Sequence, residues 1–163
     1  MLVGVVSDTH NNVKNIKNII NIFNEEKVDI VIHTGDISKP ETLRQFSALN
    51  CSMLGVFGNN DRTEMGLEEV CKNLSFIFKN PPYSVKLNNK QIVIFHEPDQ
   101  IDNYINSHKN IDLILHGHTH RYREEQIKGI ACFNPGESAG LIEGKNALGL
   151  IDLSDMSIKR IFF

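Results

Sequence analysis

Five short polar clusters each stand directly after an apolar run: Ser7-Asp8-Thr9-His10, His33-Thr34-Gly35-Asp36, Gly58-Asn59-Asn60-Asp61, His96, and His116-Gly117-His118-Thr119-His120. Imidazole, carboxylate and carboxamide oxygen are donors for borderline and hard divalent ions such as Mn²⁺, Fe²⁺, Co²⁺, Ni²⁺ and Zn²⁺. No cysteine falls within the clusters, which argues against a structural zinc site. The donors outnumber what one tetrahedral ion with an open position needs, and they suffice for two. Two ions roughly 3.5–4 Å apart clamp a phosphate during in-line displacement, activating a water between them and neutralising the phosphate oxygens. A carboxylate shared by both ions is the natural bridge.

Each cluster has an ordinary explanation when taken alone. Asp8 could cap a helix starting near Val13, and Gly58-Asn59-Asn60-Asp61 has the composition of a turn. A lone histidine such as His96 at a strand end is more often solvated than ligating. These explanations would have to hold at five separate strand ends in a chain with only 7 histidines. A metal site is the stronger reading.

The elements that must position these residues are legible in the periodicity. Leu2 to Val6, Asp29 to Ile32 and Met53 to Phe57 are short, largely β-branched or apolar runs, as expected of buried strands. Between them, Val13, Ile16, Ile19, Ile20 and Phe23 share one helical face, and Pro40 to Leu49 reads as a second helix with Pro in its first turn. A third helix is expected over Glu64 to Asn73. Strand and helix alternating in this way imply right-handed βαβ units and a parallel sheet. The second half changes character. Tyr83 to Leu87 and Gln91 to Phe95 flank an Asn88-Asn89 turn, and a helix over Ile101 to His108 leads to a strand over Asp112 to His116. Tyr122 to Ile127, Ile130 to Phe133, Ala147 to Leu153 and Ser157 to Phe162 then pair around turns, suggesting a second sheet. All five clusters therefore lie just past strand carboxyl ends, the edge at which open α/β sheets bind ligands.

The 163 residues suit one ordinary domain over residues 1–163, with 40% apolar and 23% charged residues, the balance of a globular chain. A net charge of −3, with no Lys- or Arg-rich run interleaved with aromatics, argues against a nucleic-acid partner. Cys51, Cys71 and Cys132 are odd in number and widely spaced, which fits small apolar side chains in a reducing compartment. The apolar run Met1 to Val6 is too short for a signal segment or a membrane span, and no later run is longer. A cytoplasmic protein is the expectation.

The ordered series D-x-H, G-D, G-N-x-D, H and G-H-x-H resembles the calcineurin-like metallophosphoesterase superfamily, and above all its small, uncapped bacterial and archaeal phosphodiesterases. Asn134-Pro135-Gly136 also matches a late loop of that branch, so the resemblance spans nearly the whole chain. It implies a four-layer α/β/β/α sandwich of two mixed sheets. It further implies that Asp8, His10 and His120 bind one ion, that Asn59, His96 and His118 complete a second, and that Asp36 bridges the two. Asp36, Asn60 and His10 are the residues assigned to catalysis. The implied cofactors are two divalent ions, Mn²⁺ first, then Ni²⁺, Fe²⁺, Co²⁺ or Zn²⁺. The implied substrate is a small phosphate ester hydrolysed by a hydroxide bridging the ions, and relatives of this kind form dimers or tetramers.

The chain departs from the family pattern at two positions. Asn60 stands where many members carry a histidine that protonates the leaving group, and a carboxamide cannot deliver a proton at neutral pH. Losing a general acid costs about 10²–10⁴-fold, most for poor leaving groups, so acidic leaving groups are expected to be favoured. After His96, Glu97-Pro98-Asp99 replaces a second common histidine. A carboxylate pointing into the site there would repel a dianionic monoester more than a monoanionic diester. The same fold also serves as a non-catalytic scaffold in the eukaryotic retromer coat, which is the alternative reading.

Overall fold

The computed structural model describes all 163 residues, Met1–Phe163. Its eleven strands form two sheets. The first contains β1 (Leu2–Val6), β2 (Ile30–His33), β3 (Ser52–Val56), β4 (Ile77–Lys79), β10 (Ala147–Asp152) and β11 (Ser157–Phe162). Their order is β11-β10-β1-β2-β3-β4, parallel from β1 to β4 and antiparallel at β1–β10 and β10–β11. The second contains β5 (Tyr83–Leu87), β6 (Lys90–Ile94), β7 (Leu113–Leu115), β8 (Arg123–Ile127) and β9 (Ile130–Asn134) in the order β5-β6-β7-β9-β8. Both sheets are mixed, as expected.

Period-two alternation along the buried strands assigns each side chain to a layer. Val3, Val5, Ile30, Ile32, Leu54 and Val56 face the second sheet and meet Ile92, Ile94, Leu113, Leu115 and Phe133 there. Val6, Val31 and Met53 face the other way, onto α1 (Val13–Glu25), α2 (Pro40–Gln45) and α3 (Leu67–Leu74). On the far side, Val93, Ile114 and Cys132 pack with Ile101 and Ile105 of α4 (Ile101–Ser107). The result is the α/β/β/α sandwich.

Helix α1 shows how sequence sets this packing. Asn12 caps it by accepting a 3.0 Å hydrogen bond from Asn15 N, so Asp8 is not the cap and is left for other work. Ile16, Ile19, Ile20 and Phe23 then bury one face, each contributing roughly 1.5–3 kcal/mol. Gly4 of β1 permits the close approach, because a Cβ there would stand 2.6 Å from the Phe23 ring.

Several boundaries differ from the sequence expectation. Helix α2 stops at Gln45 and tightens into a 3₁₀ turn over Phe46–Ala48. Helix α3 begins at Leu67 because Gly66 adopts φ +92 and breaks any earlier start. Strand β4 has no counterpart in the periodicity reading, since only Phe78 of its three residues is buried. No helix is long and apolar enough to cross a membrane.

Candidate metal centre

The loops after β1, β2, β3, β6 and β7 converge at one edge of the sandwich and bring all eight sequence-predicted residues together. Asp8, His10 and His120 form one group of donor atoms, and Asp8, Asp36 and His96 form another, with the atoms of each within 4.8 Å of one another. Asp8 belongs to both groups, and Asp36 Oδ2 is 3.4 Å from His96 Nε2 and 3.9 Å from His10 Nε2. Asn59 Oδ1 meets His96 Nε2 at 2.9 Å and His118 Nδ1 at 3.0 Å. Across the site, His10 Nε2 and His120 Nε2 face each other at 3.4 Å, and His120 Nε2 is 3.7 Å from Asp8 Oδ1.

The backbone at this edge is strained. Asp8, His10, Asp36, His118 and His120 all have positive φ, between 43° and 68°. Side chains other than glycine occupy that region at a cost of about 1–3 kcal/mol each, and such residues concentrate at functional sites. Hydrogen bonding stabilises the loops that carry them. Buried Asp61 accepts from four backbone N–H groups: Asp36 at 2.8 Å, Ile37 at 2.9 Å, Ser38 at 2.7 Å and Gly58 at 2.8 Å. Gly58 is required beside it, because a Cβ would overlap the Asp36 carboxylate.

Imidazole orientation is fixed from behind. His96 Nδ1 is 2.8 Å from Thr34 O, and His120 Nδ1 is 2.9 Å from Glu137 Oε2. Partners of this kind set the ring tautomer and leave the opposite nitrogen to face the site. His10 Nδ1 has a longer contact, 3.3 Å to Ser38 Oγ. His33 and His116 lie behind the site. His33 Nε2 pairs with Thr9 Oγ1 at 3.0 Å, while His116 meets Gly117 O and Asn134. His108 stacks on Tyr104 at the exposed end of α4 and belongs to neither donor group.

Burial sets the electrostatics. Desolvation is the largest influence on Asp8 and raises its carboxyl above the ordinary range, against the hydrogen bond from Ser7 Oγ and the nearby His96 and His120. Desolvation also pushes Asp36 upward, but the hydrogen bond and charge of His96, with two donors from Asn60, outweigh it and hold the carboxyl low. His96 is drawn upward by Asp36 despite its burial. His33, fully desolvated, falls to about 3, and His116 falls to about 4. Neither Asp8 nor Asp36 is paired with Lys or Arg; their ionic neighbours are histidines. Two buried carboxylates among convergent imidazole nitrogens, with no fixed cation, fit divalent ions of the borderline class.

Two residues essential to this arrangement carry no role in the sequence analysis. Asp61 was visible as the acid of G-N-x-D, and Glu137 as the acid immediately after Asn134-Pro135-Gly136. Only the folded geometry displays what each bonds. At the two divergent positions, Asn60 Nδ2 donates to Asp36 Oδ2 at 2.7 Å, and Glu97 pairs with Arg62 at 3.1 Å. The Arg62 pairing compensates the Glu97 charge, so Glu97 no longer supplies a reason for diester preference.

The sequence model of the calcineurin-like phosphoesterase superfamily domain matches residues 1–156. The chain belongs to the calcineurin-like phosphoesterase superfamily. Members of this superfamily are metal-dependent, and the donor groups described above are this member's candidate metal-binding residues. A phosphodiesterase from Methanocaldococcus jannaschii is 31% identical, over 99% of this chain and 98% of its own. The structure of an archaeal phosphodiesterase superposes on this calcineurin-like domain with a TM-score of 0.91 at 30% identity, covering 100% of both chains. Vps29 from Entamoeba histolytica has a TM-score of 0.69 at 21% identity, covering 100% of this chain and 99% of that one, which is a likeness of fold.

Proposed function

We propose that this calcineurin-like phosphoesterase is a dinuclear metal-dependent phosphodiesterase, with residues 1–163 acting as one domain. The observation that carries the reading is Asp36 Oδ2 reaching histidines on both sides of the site, 3.4 Å from His96 Nε2 and 3.9 Å from His10 Nε2, with Asp8 common to both donor groups. Asp8, His10 and His120 would hold one ion, Asn59, His96 and His118 the other, and Asp36 both. Bound divalent ions supply Lewis acidity and activate water at neutral pH. Mn²⁺ is expected first, and Ni²⁺, Fe²⁺, Co²⁺ or Zn²⁺ suit the same donors. The full-length likeness to a phosphodiesterase supports a small phosphodiester as substrate.

The chain's own residues prepare the site. Asn60 donates to Asp36 through both N and Nδ2, one to each carboxylate oxygen, which favours the anionic form. Because Asn60 cannot deliver a proton, the departing alkoxide or phenoxide must leave without help from that position. Rates should fall steeply as leaving-group pKa rises, and Asn60→His should flatten that dependence.

The deciding experiment measures turnover of paired aryl phosphodiesters and phosphomonoesters by metal-stripped protein reloaded with Mn²⁺, Ni²⁺ or Zn²⁺. Diester cleavage should require the ion and fall by about 10³-fold or more in Asp36→Ala, a loss of several kcal/mol of charge stabilisation. Binding of two ions without turnover of either ester would instead favour the scaffold reading.

A further inference from the structure

A pocket of about 260 Å³ adjoins the metal-facing residues and shares His120 with them as a wall. Arg121, Lys145 and Arg160 line it, with Tyr122 and Ile142. None of the three cations takes part in an ion pair, whereas Arg44, Arg62, Lys90, Arg123 and Lys159 all do. The carboxylate in the wall, Glu137, is fully engaged. Its Oε2 meets His120, and its Oε1 accepts from the backbone N–H groups of Leu141 and Ile142. The pocket is therefore a concave positive site on a chain whose net charge is −3.

Isolated surface cations need no explanation, but here Arg160 and the loop that carries Lys145 are held in place. Arg160 lies over the rings of Tyr122 at 4.5 Å and Phe162 at 4.4 Å, and its Nε donates to Pro135 O at 2.8 Å. That leaves the rest of its guanidinium fork fixed in direction and free to donate. The loop bearing Ile142 and Lys145 is tied to α1 by Asn12 Nδ2 on Ala139 O at 2.8 Å. Asn15 Nδ2 adds bonds to Ser138 O at 2.9 Å and Asn146 Oδ1 at 3.1 Å. Exposed Ile142 and the half-exposed Tyr122 ring add apolar surface at the rim.

We propose that this pocket selects phosphodiesters whose organic group carries a second phosphate, which Arg121, Lys145 and Arg160 bind while the scissile phosphate lies at the metal-facing residues. The inference rests on the phosphodiesterase reading of the neighbouring site and adds its substrate class. Charge-assisted bonds from guanidinium and ammonium groups to phosphate supply the affinity, and the apolar rim accommodates the carbon skeleton between the two phosphates.

The test compares thymidine 3′-(4-nitrophenyl phosphate) with and without a 5′-phosphate. Consumption of the diester is followed by chromatography, so that cleavage of either ester bond counts. The 5′-phosphorylated compound should have a KM lower by about tenfold or more at low salt, with the gap closing as ionic strength rises. Arg121→Gln and Lys145→Gln should each bring the ratio of the two KM values toward one. Equal KM values in the unaltered protein, or a preference that survives both substitutions, would overturn the proposal while leaving the phosphodiesterase reading intact. If neither ester is consumed, the phosphodiesterase reading fails, and titration of the metal-free protein with thymidine 5′-monophosphate decides the pocket by NMR. Shifts centred on Tyr122, Ile142 and Lys145 that vanish in Lys145→Gln would support it, and their absence would refute it.

Discussion

The two donor groups at the sandwich edge are built by different means. Asp8, Asp36 and His96 are buried, and the loop carrying Asp36 hangs from Asp61 by backbone hydrogen bonds. His10 and His120 are only partly buried, and each is fastened by one side-chain contact, to Ser38 and Glu137 respectively. The buried group behaves as a template cast in main chain. Its geometry is fixed by atoms that no single substitution at a ligand can move. The outer group is held by side chains, opens toward the cationic pocket, and is the half that substitutions can retune.

The contrast breaks most visibly at Asp61. Asp61→Ala leaves four backbone N–H groups without their acceptor in a buried setting, at about 1–3 kcal/mol for each group that water cannot reach. Destabilisation by several kcal/mol is expected in urea titrations, together with loss of activity. Glu137→Gln tests the outer group. It should lower metal affinity or activity by about 10–100-fold, the usual effect of removing a carboxylate behind a ligating histidine. Isothermal titration should show one ion weakened and the other unchanged; equal weakening of both would mean the groups are not independent.

The smallest effect concerns pH and the histidines behind the site. The folded-state pKa values of His33 and His116, about 3 and about 4, lie below the ordinary 6.5. Between those values the unfolded chain binds more protons than the folded one, so stability is full above pH 6.5 and declines as pH falls toward 4. Each histidine contributes a slope of at most about 1.4 kcal/mol per pH unit. Urea midpoints of metal-free protein between pH 7 and 4.5 measure this, and His33→Asn should reduce the slope.

Much of this was legible in the sequence because buried strands ending in polar residues announce both the layer and the edge. Leu2 to Val6 followed by Asp8 and His10 specifies a strand, its direction and the place its ligands occupy. The ordered motifs named the family, and with it the sandwich. Strand β4 was illegible because a three-residue edge strand with one buried side chain has no period to detect. The start of α3 was hidden by glutamates that suit a helix as well as a loop, until Gly66 is seen at positive φ. Glu137 was silent for another reason. Its meaning lies in a contact with His120, 17 residues earlier in a different loop, and no local pattern encodes that pairing.

The strands of the first sheet deliver Asp8, His10, Asp36 and Asn59, and those of the second deliver His96, His118 and His120. The site is therefore a gauge of how one sheet lies on the other. A slip of one residue along a strand, about 3.3 Å, is as large as a hydrogen bond is long and would break the contacts across this site. What resists that slip is the inter-sheet layer of Val5, Ile32, Val56, Ile94, Leu115 and Phe133, none of which offers a donor atom to the site. The interior of this sandwich thus sets the calibration of its chemistry, and substitutions deep between the sheets can adjust the spacing of the donors without altering any of them.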